Sequence, residues 1–573
     1  MLRASLARCK TPASPTTCLG LKRHMAVAAA AAKKEGDISD AFTSLSGAQR
    51  EPLPDRFRVR KLDLVRGREE QIEKSWKSLL RELRKENEVV ANKGPNVIPQ
   101  VRYYDFEQSA GGLKEEIRKR GVVVVKGVVP EDEARAWKGE IEDYVRKNPS
   151  TRAFPPHDPQ VYELYWSSPQ LKARSHPNFL HVQQRLMSLL WHSSNASTPI
   201  SLSQPFSYAD RLRIRQPGDA SFALGPHIDG GSVERWEAEG YGRGGVYDAV
   251  LAGKWDEYDP WDASGRVHAV NNLYDGLGAC SMFRMWQGWM SMSHTKPGEG
   301  TLLVNPLVKL SMAYVLLRPF FRAKNPSASD FLGVDNWEFM GGEMDSELQG
   351  ATPGTGQELT DELHPHLELE KTMVHVPEIW PGDFVAWHCD TIHSVDKVHG
   401  GKTDSSVLYI PVCPITELNA EYMVRQREAF RQGTPGPDFP GGAGESGHVD
   451  RPTEDVLDGA GRRAMGLEGL EVKVYSIGVQ NTSTSPEAPG TTEIIASTAA
   501  VSSVKDTTLT ISQTQSSTES SVLSEDIDTT DILTTSAEST TTTEATITTT
   551  TEAIVMCLKE GFKTPPRSEV FGI

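Results

Sequence analysis

From about residue 200 the chain changes character, and that change limits its fold more than any other feature. Short alternating apolar segments follow one another, punctuated by Gln216-Pro217-Gly218, Lys296-Pro297-Gly298 and Trp380-Pro381-Gly382. Pro fixes one turn dihedral and Gly accepts a positive φ, so each triplet ends a strand and reverses the chain. Upstream the pattern is helical. Glu69 to Glu88 and Leu113 to Arg120 read as helices, and residues 160 to 195 read as mainly helical. Pro130 opens a further helix reaching about Arg146, with Glu131, Asp132 and Glu133 at its positive end. Val122 to Val125 is a continuous apolar run, hence a buried strand. Helices first and many short strands afterwards predict an α+β protein built on an antiparallel barrel or sandwich.

The flanks are different. Between 481 and 550, Ser and Thr make up 35 of 70 residues, with no Trp, Tyr or Phe. Such a segment cannot bury enough apolar surface to offset chain entropy, so 476–573 is expected to be a disordered tail open to phosphorylation. Residues 1–34 hold no acid and seven basic residues. That composition resembles a mitochondrial transit peptide. A leader without structure is the other reading, and Met25 is an alternative start. Residues 1–44 are therefore set apart from a folded body at 45–475, and the compartment is read as cytoplasmic or mitochondrial. The six cysteines (Cys9, Cys18, Cys280, Cys389, Cys413 and Cys557) are scattered, without a CxxC pair, which suits a reducing compartment. Lys plus Arg is 61 against 77 Asp plus Glu, a net charge of −16 that argues against a broad nucleic-acid surface. No window offers the ~18–20 uncharged apolar residues of a membrane span. The most apolar stretch, Leu310 to Phe321, is flanked by Lys309 and Arg322. The oligomeric state is not legible.

The chemistry centres on Gly225-Pro226-His227-Ile228-Asp229-Gly230-Gly231. In an extended segment His-x-Asp places an imidazole and a carboxylate on one side. A distant third His would complete the two-His, one-carboxylate face that holds iron(II) and leaves positions open. The pattern occurs three times, as His227/Asp229, His388/Asp390 and His448/Asp450. His448 is the last histidine in the chain, so none follows to complete a site, and it lies in a Gly/Pro-rich loop. His388 leaves little chain for intervening strands. His227 follows a strand and has ample sequence behind it. The third ligand is expected after Pro381-Gly382-Asp383 and the apolar strand that follows, where His393 lies ten residues beyond Asp383. Singly, each residue has a plainer reading: a capped loop His, a turn Asp, a satisfied core His. His388 is the rival to His393, expected to face the other way if the strand runs on.

Pro-Gly-Asp, an apolar strand and His393-Ser394-Val395 resemble the distal-histidine segment of iron(II)/2-oxoglutarate-dependent dioxygenases. Leu212 to Asp229 resembles their proximal segment, and Pro297 to Val304 the strand pair between. Gly121 to Val129 with its helix looks like the entry to phytanoyl-CoA-dioxygenase-type folds. Over roughly 45 to 470 the chain resembles the YbiU-like family of bacterial and fungal proteins. The resemblance implies a double-stranded β-helix (jelly roll) core with flanking helices. It places His227, Asp229 and His393 on iron(II), with 2-oxoglutarate as co-substrate and O₂ as oxidant, hydroxylating a small metabolite. An Arg-lined strand hints that this metabolite is anionic.

The chain departs from that pattern at one place. The superfamily usually supplies Arg or Lys about ten residues past the distal His, yet Val407 to Pro411 carries no basic residue. Lys402, in a Gly-Gly turn, is one candidate for the co-substrate carboxylate. Arg211, Arg213 and Arg215 share one face of the strand before His227, and Arg284 is another candidate. The fork of Arg suits both oxygens of a carboxylate. Partners in acids or in solvent are the plainer reading. His294 is read as a turn residue or a substrate contact. Trp236, Tyr241, Tyr247, Trp255, Tyr258 and Trp261 fill an insertion that is either an active-site lid or a packed excursion. Two other functions stay open: a non-catalytic jelly-roll binding module, and a cupin-like metal enzyme without 2-oxoglutarate.

Overall fold

Val122 to Val125 is the thread from sequence to architecture. Its side chains alternate across a sheet, so Val122 and Val124 enter one interior while Val123 and Val125 enter another. All four are fully buried, which is why the run is apolar throughout and not every second residue. The computed structural model describes residues 38–46, 51–107, 111–221, 223–276 and 279–468. The expected transit peptide and the Ser/Thr-rich tail lie outside the described residues.

The strand Val122–Lys126 belongs to an eight-stranded sheet. In order across it the strands are Gln100–Arg102, Val122–Lys126, Phe384–His388, Trp286–Ser291, Ser405–Tyr409, Leu212–Arg215, Val161–Tyr162 and Ala153–Phe154. The first pair is parallel and the rest antiparallel. A five-stranded antiparallel sheet runs Gln357–Glu358, His227–Ile228, His393–Val395, Leu302–Val304 and Val374–His375.

One face of the larger sheet packs on the helices Glu131–Lys147 and Pro177–Leu190 through Trp137, Ile141, Phe179, Val182 and Leu186. On the other side lie the smaller sheet and the helices Glu69–Lys93 and Val308–Leu317, which pack on each other. The second of these is buried all round, which explains the apolar stretch from Leu310. A third core joins Tyr165, Trp166, Phe206 and Tyr208 to Tyr422 and Phe430 of the helix Glu417–Gln432. Among the described residues no helix is long and apolar enough to cross a membrane.

The Pro-Gly-Asp turn ties the strand Phe384–His388 to the end of its neighbour Val122–Lys126. Gly382 has φ +86°, and a Cβ there would lie 2.0 Å from the Val129 carbonyl oxygen. The Gly382 carbonyl accepts from the backbone N–H of Val128 and Val129, at 3.1 and 3.2 Å. Asp383 accepts from the backbone N–H of Gly127 and Trp380 and pairs with Lys126 at 3.1 Å. The aromatic insertion is a packed excursion: Trp236, Tyr241, Tyr247, Tyr258 and Trp261 are all buried.

Candidate metal centre

His227 and His393 lie directly opposite one another on adjacent antiparallel strands. Opposed residues share a face, so both imidazoles turn the same way. Their ring centroids are 4.1 Å apart. Asp229, just past the first strand, brings its oxygens to 3.7 Å from His227 Nε2 and 3.6 Å from His393 Nε2. One ligand atom from each residue lies within 4.8 Å of the others, a group that could hold a metal ion.

The backbone sets the tautomers. His227 Nδ1 lies 2.7 Å from the Gly225 carbonyl oxygen, and His393 Nδ1 lies 3.1 Å from that of Thr391. Only an N–H can face a carbonyl at that distance, so Nδ1 donates and Nε2 keeps its lone pair. Burial, reinforced by the neighbouring His393, pulls the His227 pKa down to about 4, so this ring is neutral at physiological pH. Burial pushes the Asp229 carboxyl upward, but its surroundings, with the Arg284 guanidinium among them, hold it well below the usual carboxylate range. Unprotonated imidazole nitrogens and an ionised carboxylate are the forms that bind metal.

The three residues sit in the wall of a cavity of about 190 Å³. Both sheets contribute to it: Arg213, Trp289, Trp387, Val407 and Tyr409 from the larger, Leu302 and Val395 from the smaller. Phe42 closes one side, its ring edge-on to His227 at 4.8 Å. The segment carrying it is docked by a 2.9 Å hydrogen bond from Gly356 N–H to the Ala41 carbonyl. Arg235, fully buried, donates to the carbonyls of Gly231 at 2.5 Å and Asp229 at 2.9 Å, pinning the loop after the carboxylate. Neither Phe42 nor Arg235 stood out in the sequence. Phe42 comes from the stretch assigned to the leader, and Arg235 is one of many arginines with no motif around it.

The candidate basic residues divide. Arg211, Arg213 and Arg284 line the cavity. Arg215 and Lys402 do not. Arg215 shares the face of Arg213 but is spent on loops: it pairs with Asp219 at 2.5 Å and donates to the carbonyls of Asp219, Asp396 and Lys397. Lys402 is exposed in the turn before Ser405–Tyr409. His294 is a surface residue, stacked on Trp380 and paired with Glu378 at 2.7 Å.

The two other His-x-Asp pairs have structural explanations. His388 ends a strand of the larger sheet, whereas His393 begins one in the smaller. Both His388 nitrogens are used: Nε2 donates to the Pro260 carbonyl at 2.9 Å, and Nδ1 accepts from the Asp390 N–H at 3.0 Å. Asp390 is buried against Arg266 and the hydroxyls of Tyr247 and Tyr258. His388, Cys389 and Asp390 also cluster closely enough to hold an ion, but those bonds leave the imidazole no free lone pair. His448 packs on Tyr144, and Asp450 pairs with Lys147 at 2.6 Å.

A family model described as Gig2-like matches residues 51–467. The protein YbiU of Escherichia coli (strain K12) is 32% identical over 388 residues, 65% of this chain and 86% of YbiU. The crystal structure of GlcNAc Inducible Gene 2, GIG2, from Candida albicans is similar with a TM-score of 0.65 and 31% identity, covering 76% of this chain and 93% of that one. A Salmonella typhimurium LT2 protein named as a candidate oxidoreductase has a TM-score of 0.63 and 28% identity, over 73% of this chain and 99% of its own. With its match spanning both sheets and the centre between them, the chain belongs to the Gig2-like family.

Proposed function

We propose that the protein is a non-haem iron(II) oxygenase that uses 2-oxoglutarate and O₂ to hydroxylate a small molecule. The observation that carries this reading is the convergence of His227, Asp229 and His393 on one cavity wall, with both Nε2 lone pairs free. The donor set fits the metal: two imidazoles and one carboxylate on one side, with the cavity on the other. Iron(II) held there would supply the activation of O₂, with the 2-oxo acid as the source of electrons.

The chain's own residues set the conditions. The carbonyls of Gly225 and Thr391 fix the two rings, and Arg235 fixes the backbone of Asp229. Phe42, Leu302, Trp289 and Trp387 exclude water from the reacting centre. Arg213 and Arg284 supply, from other elements, the positive charge that Ser405–Tyr409 lacks.

Strand order supports a double-stranded β-helix. Leu212–Arg215, Trp286–Ser291, Phe384–His388 and Ser405–Tyr409 lie in the larger sheet. His227–Ile228, Leu302–Val304, Val374–His375 and His393–Val395 lie in the smaller. The chain passes back and forth between the two, as in a jelly roll. The name given to the Salmonella relative is of the same broad class.

Anaerobic addition of iron(II) and 2-oxoglutarate to the full chain tests the reading. A weak visible charge-transfer band is expected with the native protein and is lost in His227→Ala. Folded protein that retains no iron and gives no band overturns it.

A further inference from the structure

Three guanidinium groups, those of Arg211, Arg213 and Arg284, face the cavity. Arg211 Nε lies 3.3 Å from the Asp210 carboxylate, which also accepts the Arg211 backbone N–H at 2.7 Å. Glu234, also in the wall, accepts from the backbone N–H of Ser232 at 2.7 Å and Leu273 at 3.3 Å, and it lies near the guanidinium of Arg235. Arg213 projects from Leu212–Arg215 opposite Val407, one strand away from the segment that follows His393. Its Nη2 donates to Gln160 at 3.0 Å.

Arg284 is different. Among the described residues no acceptor takes a hydrogen bond from it and no carboxylate forms an ion pair with it. Its guanidinium lies 6.0 Å from the centre of the Tyr208 ring and faces the same cavity as Asp229. Its charge is balanced only through space, with Asp229 among the groups that face it, and a metal ion on that carboxylate would claim the counter-charge, so this wall is left to meet an anion.

Charge counting then separates two anions, on the reading that iron(II) and a 2-oxo acid bind as proposed above. A divalent metal with Asp229 carries one net positive charge. The dianionic 2-oxo acid turns this to one negative charge, and a single guanidinium restores neutrality. The second guanidinium is left for the substrate.

We propose that the cavity holds two anion subsites: Arg213 takes the far carboxylate of the 2-oxo acid, and Arg284 takes a carboxylate or phosphate on the substrate, which is therefore a small acid. The guanidinium fork matches the paired oxygens of either group. Trp289, Trp387 and Phe439 offer apolar wall to the rest of the molecule, and the space of about 190 Å³ suits a small metabolite.

Calorimetric titration of the full chain loaded with manganese(II), which prevents turnover, tests this assignment. Butyrate and inorganic phosphate are the probes, each titrated with and without saturating 2-oxoglutarate. One of them binds alongside 2-oxoglutarate, and the tighter one tells carboxylate from phosphate. Arg284→Gln weakens that probe about tenfold or more while changing 2-oxoglutarate affinity less than about threefold. Arg213→Gln does the reverse, and Arg284→Lys, which keeps the charge, retains part of the probe binding. Unchanged circular dichroism shows that each variant is folded, and Arg284→Lys carries the comparison if Arg284→Gln is not. Competition between 2-oxoglutarate and both probes, or loss of 2-oxoglutarate affinity in Arg284→Gln, overturns the assignment. Failure of 2-oxoglutarate to bind the native protein overturns the oxygenase reading, whereas Arg284-dependent binding of either probe to metal-free protein still supports the substrate subsite.

Discussion

His227 and His393 are cross-strand partners whose rings stand 4.1 Å apart, centroid to centroid. The candidate metal centre is therefore tied to the register of the smaller sheet. A one-residue slip of either strand would turn its imidazole to the opposite face. The two carbonyls that hold Nδ1 belong to residues two positions upstream on the same chain segments, so ring orientation is set locally as well.

Removing either imidazole separates the ligands from the rival histidine. His227→Ala or His393→Ala is expected to lower iron(II) affinity by more than about a hundredfold, since loss of an outer-shell partner alone costs about 10–100-fold. His388→Ala is expected to leave it unchanged, because both nitrogens of His388 are already bonded. Metal content after chelator competition, with circular dichroism to verify folding, makes the comparison.

Arg235 touches no candidate ligand atom, yet it grips the carbonyls on either side of Gly230. Arg235→Gln is expected to weaken metal binding by about 10–100-fold by loosening the Asp229 loop. A purely structural role predicts a drop in melting temperature with metal affinity in the folded fraction preserved.

Burial pulls the His388 pKa down to about 4. This imidazole is neutral when folded and takes up a proton on unfolding below about pH 6.5, so its contribution to stability falls as pH drops from there towards 4. His388→Gln is expected to be less stable than the native chain at pH 7.5. That deficit shrinks by on the order of 2 kcal/mol at pH 5, where only the native chain still carries the protonation penalty. Urea denaturation of both proteins at the two pH values gives the difference; a deficit independent of pH contradicts the assignment.

Gly382 and Gly127 both have positive φ, but only Gly382 is crowded. Gly127→Ala meets nothing within 4 Å and is expected to cost about 1–2 kcal/mol from backbone strain. Gly382→Ala adds a clash with the Val129 carbonyl and is expected to cost more than about 3 kcal/mol, or to prevent folding. Chemical denaturation ranks the two.

Much of this was legible where a residue's role is set by its neighbours in sequence. The helix read at Glu69 runs Glu69–Lys93, the one read at Leu113 runs Gly111–Arg120, and Val122 to Val125 is buried on both faces. Chain order separated His227 from the other His-x-Asp pairs, and the structure gives His388 and His448 other surroundings. What depends on long-range approach was not legible. Arg213 and Arg215 share a face, yet only Arg213 reaches the cavity, because the loops carrying Asp219 and Asp396 capture Arg215. The gap in basic residues along Ser405–Tyr409 was visible, whereas the strand beside it became known only from the sheet order. The helix Glu417–Gln432 was missed because its apolar face is read only once Tyr165, Phe206 and Tyr208 are known to pack there.

Phe42 gives the amino-terminal stretch a stake in the chemistry. The ring stands edge-on to His227 from the segment 38–46, so trimming past residue 46 strips it away and opens the imidazole to bulk water. A truncated form designed to begin at the first long helix would therefore report on a different, wetter site.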